Sequence, residues 1–150
     1  MEEYVKSSDM ILDIGAHAGE YTVYFSNLNS NASIYSFEQC KDAFETLRQN
    51  ITECNIQNVV ILNHAVGNKL QTSPNTPMLS IDSLQLIRCD FIHINPKQDQ
   101  HLILQGAKKT IETLHPIICF TTCSKTEQLL LQQTYRILKI SDTKQLAYRL

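Results

Sequence analysis

The sequence predicts an α/β fold: a three-layer, Rossmann-like sheet, mostly parallel, ending in an antiparallel C-terminal hairpin. Three observations predict it. An apolar strand over 10–14 runs through Asp13 into a loop with Gly15 and Gly19, and a helix starts at Glu20. Strand, glycine loop and helix in that order form the first half of a nucleotide-binding βα unit. Strand-like and helix-like segments then alternate along the chain, which implies parallel strands with helices on both faces. Two strand-like runs, 135–140 and 145–150, flank the polar Ser141, Asp142, Thr143 and Lys144, which read as a hairpin turn.

The elements follow in order. Residues 20–28 place Tyr21, Tyr24, Phe25 and Leu28 at helical spacing. A second strand covers 33–37. A helix over 42–54 buries Phe44, Leu47, Ile51 and Cys54, and a third strand covers 59–62. A polar, proline-containing loop spans 71–77, and 80–86 is a short helix or turn with Asp82 as its cap. The fourth strand is 90–94. One long helix over 99–114 buries Leu102, Ile103, Gly106, Ala107, Ile111 and Leu114. Pro116 opens the fifth strand, 116–120, and a short helix covers 125–133.

Composition narrows the function. At 150 residues, 43% hydrophobic and 19% charged, the chain reads as one domain, 1–150, with an ordinary globular balance. A net charge of −2 and the lack of a basic run argue against a nucleic-acid-coating surface. No segment has the length of a membrane span. The start, Met1-Glu2-Glu3-Tyr4, lacks the basic and apolar parts of a secretory signal. No N-terminal substrate cap is expected ahead of the first strand. Cys40, Cys54, Cys89, Cys119 and Cys123 are odd in number and form no C-x-x-C, so free thiols in a reducing compartment are expected. That compartment is the cytoplasm, or a host's cytoplasm if the Asn/Gln-rich chain is viral. His17, His64, His93, His101 and His115 show no metal-ligand spacing, so no metal is expected.

The loop spacing discriminates between cofactors. A dinucleotide fold wants G-x-G-x-x-G, so that backbone amides approach a pyrophosphate. Here Asp13 stands at the first glycine position. A carboxylate there repels phosphate and attracts an ammonium. Glu38 closes the second strand 23 residues beyond Gly15 (38 − 15), about where an acid grips ribose hydroxyls. An adenosine-containing cofactor with an ammonium and no phosphate is S-adenosyl-L-methionine (SAM). The blander alternative is a tight turn in which Asp13 caps Gly15 or Ala16.

From Met10 to about Thr122 the sequence resembles the FkbM-type family of SAM-dependent methyltransferases. The matching pieces begin with Leu12-Asp13-Ile14-Gly15-Ala16-His17-Ala18-Gly19-Glu20-Tyr21-Thr22, Phe37-Glu38 and Leu47-Arg48-Gln49-Asn50. They continue with Asn63-His64-Ala65-Val66-Gly67-Asn68, Ser80-Ile81-Asp82-Ser83-Leu84, Gln105-Gly106-Ala107 and Leu114-His115-Pro116-Ile117-Ile118. The resemblance implies a class I methyltransferase sheet, SAM as cofactor and methyl transfer to a hydroxyl oxygen of a small-molecule or glycan-type acceptor. The cofactor residues it implies are Asp13, Gly15, His17, Gly19, Thr22, Glu38, Gln39, His64 and Ala65. His17 either lines the methionine end or is an exposed loop residue. Glu38 either holds the ribose or is a favourable acid at a helix start. Gln39 stands where many relatives have proline and reads equally as surface. His64 either accepts from the adenine amine or is stacked or exposed.

After the fourth strand the chain departs from the family. Relatives carry a block like Lys-Ile-Asp-Val-Glu-Gly-x-Glu; here the place reads His93-Ile94-Asn95-Pro96-Lys97-Gln98-Asp99-Gln100. The carboxylates expected to face methyl transfer are largely gone. The catalytic candidates left are His93, Asn95 and Asp99. His93 is either a general base or a satisfied core histidine. Asn95-Pro96 resembles part of the N-P-P-[YF] element of amino-methyltransferases, without its second proline and aromatic residue, and reads as a chance dipeptide. The rival to an active enzyme is a degenerate SAM-binding module that works through a protein partner.

Overall fold

The computed structural model describes residues 2–6, 9–28, 30–69, 77–95 and 99–149. Seven strands form one sheet: β1 Met10–Ile14, β2 Ser33–Phe37, β3 Val59–Leu62, β6 Phe91–Ile94, β7 Ile117–Thr121, β8 Arg136–Lys139 and β9 Lys144–Tyr148. Two further strands, β4 Ala65–Val66 and β5 Met78–Leu79, make a small parallel ladder of their own. The large sheet runs β3-β2-β1-β6-β7-β9-β8. Its first five strands are parallel neighbours, and β9 lies antiparallel between β7 and β8. This is the predicted mostly parallel sheet with its closing hairpin.

Among the described residues, five helices cover the two faces: α1 Glu20–Leu28, α2 Lys41–Glu53, α3 Gln100–Gln105, α4 Lys108–Leu114 and α5 Ser124–Gln132. Strand alternation decides what each face carries. Ile11, Phe91 and Cys119 point to Phe25 of α1, while Ala16 and Leu47 join α1 and α2 to the β3 side. Leu12, Ile14, Ile92, Ile94, Ile118 and Phe120 point the other way, onto Ile103, Leu104, Ile111 and Leu130 of α3, α4 and α5. Parallel strands covered on both faces read as continuous apolar runs, which is why these segments were recognisable.

The long helix expected over 99–114 is two helices broken at Gly106 and Ala107. At the break the Gly106 carbonyl accepts from the Asp82 N–H at 2.9 Å, and the Thr110 N–H, its partner in a continuous helix, donates to Asp82 Oδ1 at 2.8 Å. The site also requires glycine, since a Cβ on Gly106 would sit 1.9 Å from the Gly67 carbonyl oxygen. Asp82 also differs from its expected role. Ser80 caps the 3-10 turn Ile81–Leu84, whereas Asp82 caps α4, accepting from the Lys109 N–H at 2.9 Å and the Thr110 N–H at 2.8 Å. Of the predicted polar loop, 71–76 lies outside the described residues. Among the described residues no helix is long and apolar enough to cross a membrane.

Candidate cofactor and active site

The loop between β1 and α1 turns on two glycines in left-handed backbone, Gly15 at φ 74° and Gly19 at φ 93°. Such angles cost a side chain strain and cost glycine none. Space adds a second reason at Gly19, where a Cβ would meet Leu47 Cδ1 of α2 at 2.6 Å. His17 also has a positive φ, 53°, and its side chain is exposed. The Gly15 and Ala16 N–H groups both donate to the Phe37 carbonyl, at 2.8 and 3.0 Å. Asn50 of α2 donates its Nδ2 to the Ala18 carbonyl at 2.7 Å, which ties α2 to the loop.

Glu38 follows β2 directly and is 4% exposed. Its Oε2 accepts from the His17 N–H and its Oε1 from the Cys40 N–H, each at 2.8 Å. One buried carboxylate thus joins the glycine loop to the start of α2. Asn63, just past β3, donates Nδ2 to the Glu38 carbonyl at 2.8 Å and to the carbonyl of exposed Gln39 at 3.3 Å. His64 sits beside them, half-buried, with a buried Nδ1 that has no hydrogen-bond partner. Ala65 is less available than expected. It is buried in β4, and its N–H already donates to the Pro77 carbonyl at 2.9 Å.

Asp13 and Thr22 depart from their expected contact with a ligand. Both are 0% exposed. The Thr22 hydroxyl donates to Asp13 Oδ2 at 2.6 Å. Ser36 Oγ lies 2.8 Å from Thr22 Oγ1, and since the Thr22 proton is used, Ser36 is the donor. Asp13 Oδ1 lies 2.8 Å from His93 Nδ1. A carboxylate only accepts, so that imidazole proton is on Nδ1. The strand register explains the meeting: Asp13 pairs with Ser36 on one side and His93 on the other, all on the α1 face. Asp13 is therefore a buried anchor beneath the loop and presents no open carboxylate to an ammonium.

His93 is a core residue at 1% exposure. Tyr21 lies against its ring at 4.1 Å between centroids, and Phe25 meets it edge-on at 5.8 Å. Its Nε2 is buried and unpartnered. A base must reach its acceptor, and at this depth His93 reaches no surface. Tyr21 is in turn held by Lys144, whose Nζ contacts the phenol oxygen and stands 3.7 Å from the ring centroid. Asn95 is half-buried at the exit of β6, and its N–H donates to the Ile14 carbonyl at 3.0 Å, next to the glycine loop. Asp99 is exposed and serves as the N-cap of α3, accepting from the Leu102 N–H at 3.3 Å. Pro96, Lys97 and Gln98 lie outside the described residues. Among those described, no group of three metal-binding side chains occurs.

Comparison with known proteins places this arrangement. No protein-family model and no curated protein matches the sequence. Among solved structures, methyltransferase FkbM from Methylobacillus flagellatus superposes with a TM-score of 0.75 at 18% identity, over 94% of this chain and 44% of that one. An rRNA methylase from Streptococcus thermophilus gives 0.67 at 12% identity, over 99% and 91%. M. capricolum TrmK, solved with S-adenosyl-homocysteine (SAH), gives 0.62 at 14% identity, over 98% and 63%. The chain has the class I methyltransferase fold. It spans less than half of the FkbM structure's length and most of the rRNA methylase's.

Within that fold, Glu38, His17, Gly15, Gly19 and Asn95 gather at the carboxyl ends of β1, β2 and β6. Ser36, Asn50 and Tyr21 complete the surroundings and carry no site signal of their own in the sequence, whereas Asn63 opens the Asn63–Val66 stretch expected under an adenine. Asn50 and Asn63 fell within recognisable motif pieces. Ser36 carried no local signal, since its role depends on strand register.

Proposed function

We propose that the protein is a SAM-dependent methyltransferase of the FkbM-like kind, acting in the cytoplasm on a hydroxyl oxygen of a small-molecule or glycan-type acceptor. One observation carries the reading. The buried Glu38 carboxylate holds the His17 N–H at the glycine loop, at the carboxyl edge of a β3-β2-β1-β6-β7-β9-β8 sheet. Ligands of open α/β sheets bind at that edge.

The residues present fit the cofactor. Each Glu38 oxygen accepts one N–H and has a second lone-pair direction left for a ribose hydroxyl. The orphaned His64 Nδ1 supplies an unmet hydrogen-bonding atom next to β3, on the adenine side. Gly15 and Gly19 let the backbone approach closely. SAM, when bound, supplies an already activated methyl group. The chain's own task is then alignment and exclusion of water.

A second reading, a SAM-binding module with weak catalysis that works through a protein partner, is favoured by the state of the catalytic candidates. His93 is sealed in the core, Asp99 is committed to a helix cap, and Asn95 carries no charge. Calorimetry with SAM and SAH tests the cofactor reading, and absence of binding to either would overturn it. NADH should bind far more weakly than SAH. Measured apart from binding, turnover on simple hydroxyl acceptors should be slow, and Asn95→Asp with Lys97→Glu should raise it with little change in SAM affinity. Fast turnover indifferent to changes at His93 and Asn95 would place the chemistry elsewhere.

A further inference from the structure

Lys144 is the first residue of β9 and pairs in register with Thr121, the last residue of β7, so it lies level with the carboxyl edge of the sheet. Strand alternation sets its face. Leu146, two residues on, pairs with Cys119, and both belong to the cluster around Phe25 of α1. Lys144 therefore stands on the α1 face, where its ammonium reaches Tyr21, the second residue of α1. Tyr21 lies against the ring of His93 in β6. The pair is thus held on the β6 side of the glycine loop, across β1 from Glu38. Both residues are half-buried.

The pair has more donors than it uses. Lys144 Nζ donates to the phenol oxygen and stands 3.7 Å from the ring centroid. An ammonium has three donors, so N–H groups remain beyond that bond. The phenol oxygen accepts here, which leaves its own proton to be donated elsewhere. Neither a phenol nor a ring face carries a countercharge. Among the described residues Lys144 is in no ion pair. Asp142 of the adjoining turn is paired with Lys139 at 3.2 Å, and Asp13 accepts from Thr22 and His93. Glu20, beside Tyr21 in the chain, is exposed. Taking an ammonium partly out of water without an anion is unfavourable. An entering carboxylate would supply the anion and accept from both side chains at once.

SAM carries one carboxylate, at the end of the amino-acid chain that extends from its ribose. With the ribose on Glu38 at the end of β2, a chain that follows the glycine loop across β1 ends over β6. That is two strand spacings away, roughly 10 Å. We propose that Lys144 and Tyr21 form the seat of this carboxylate, with Lys144 Nζ–H and Tyr21 Oη–H donating to its oxygens. The inference rests on the methyltransferase reading above. It gives the amino-acid end of the cofactor an anchor that the sealed Asp13 does not provide.

The test is calorimetry of the full chain with SAM and with decarboxylated SAM, which differ only by the carboxylate. Wild type should bind SAM tighter by about tenfold or more. Lys144→Met should weaken SAM by a similar factor and leave decarboxylated SAM no weaker. Lys144→Arg should keep the preference for SAM. Tyr21→Phe, which keeps a ring against His93, should reduce it in part. Equal affinity of wild type for the two ligands, an equal loss of both in Lys144→Met, or a preference that survives Lys144→Met would overturn the seat while the methyltransferase reading stands. If Lys144→Met does not fold, Tyr21→Phe carries the same test, and an undiminished preference for SAM would overturn the seat. Binding of neither ligand by wild type would overturn the methyltransferase reading, and the seat with it.

Discussion

A carboxylate with no solvent contact must find its hydrogen bonds inside the protein. Asp13 finds them in Thr22 and His93. His93→Phe would keep a ring for Tyr21 and Phe25 to pack on while removing the donor. The loss should be about 1.5–3 kcal/mol, the range for a hydrogen bond to a charged group. Urea unfolding should show a lower midpoint with an unchanged slope. Adding Asp13→Asn should restore part of the loss, because an amide is cheaper to bury than an unpaired carboxylate. A His93→Phe protein within about 0.5 kcal/mol of wild type (about a third of the smallest loss expected) would show that this hydrogen bond contributes little. Glu38→Ala belongs to the same scale. It removes both N–H contacts that join the loop to α2, and it should weaken SAM by about ten- to a hundredfold in calorimetry. Sequence made Gly15, Gly19 and Glu38 legible because their spacing is local. The partner of Asp13 was not legible, since His93 lies 80 residues away and meets it only through strand register.

The elements were legible where one period dominates. The strands of the central sheet are apolar runs and α1 keeps its helical stripe; α2 keeps Leu47 and Ile51 buried but ends at Glu53, so Cys54, expected in its stripe, is an exposed C-cap residue. The break between α3 and α4 was hidden because Leu102, Ile103, Ile111 and Leu114 keep a helical period across it. At the break the helical bond between Gly106 and Thr110 is replaced by bonds to Asp82, and no helical period records that. Gly106→Ala tests the close packing of this turn on Gly67. In an isolated helix the change should gain up to ~1 kcal/mol. Here the added Cβ would fall 1.9 Å from the Gly67 oxygen, and overpacking of this kind costs about 1–3 kcal/mol or more. The clash should win, and the thermal midpoint should fall. A rise would mean that the 67–69 backbone yields freely. Asp82→Ala should remove the cap of α4 at a cost of about 0.5–2 kcal/mol. Hydrogen exchange should then quicken at the Lys109 and Thr110 amides, which donate to Asp82.

Across the whole molecule, the two buried thiols set a limit on stability in alkali. Cys89 and Cys119 are in no disulfide and are 3% and 0% exposed. Burial pushes the Cys89 thiol up to about 12, and the Asp90 carboxylate adds to the effect. Burial pushes Cys119 up to about 11, partly opposed by the charge of Lys144. In the unfolded chain both return to an ordinary value near 9.0. Below that pH both states hold both protons, and the contribution to stability is fully present. Above it the unfolded chain releases protons that the fold retains, so the unfolded state is favoured as pH rises. Each thiol then removes about 1.4 kcal/mol per pH unit until it ionises in the fold. Burial raises Tyr135 as well, and it acts in the same direction at higher pH. Unfolding free energy measured by urea should therefore fall steeply from about pH 9 to pH 11, the window between the ordinary and raised thiol values. Cys89→Ala and Cys119→Ala should each lower stability at neutral pH by leaving a small cavity. Each should also flatten the alkaline slope by one proton. That second effect separates titration from packing, since a cavity lowers the curve equally at every pH. An unchanged slope in the double variant would mean that other groups govern the alkaline transition.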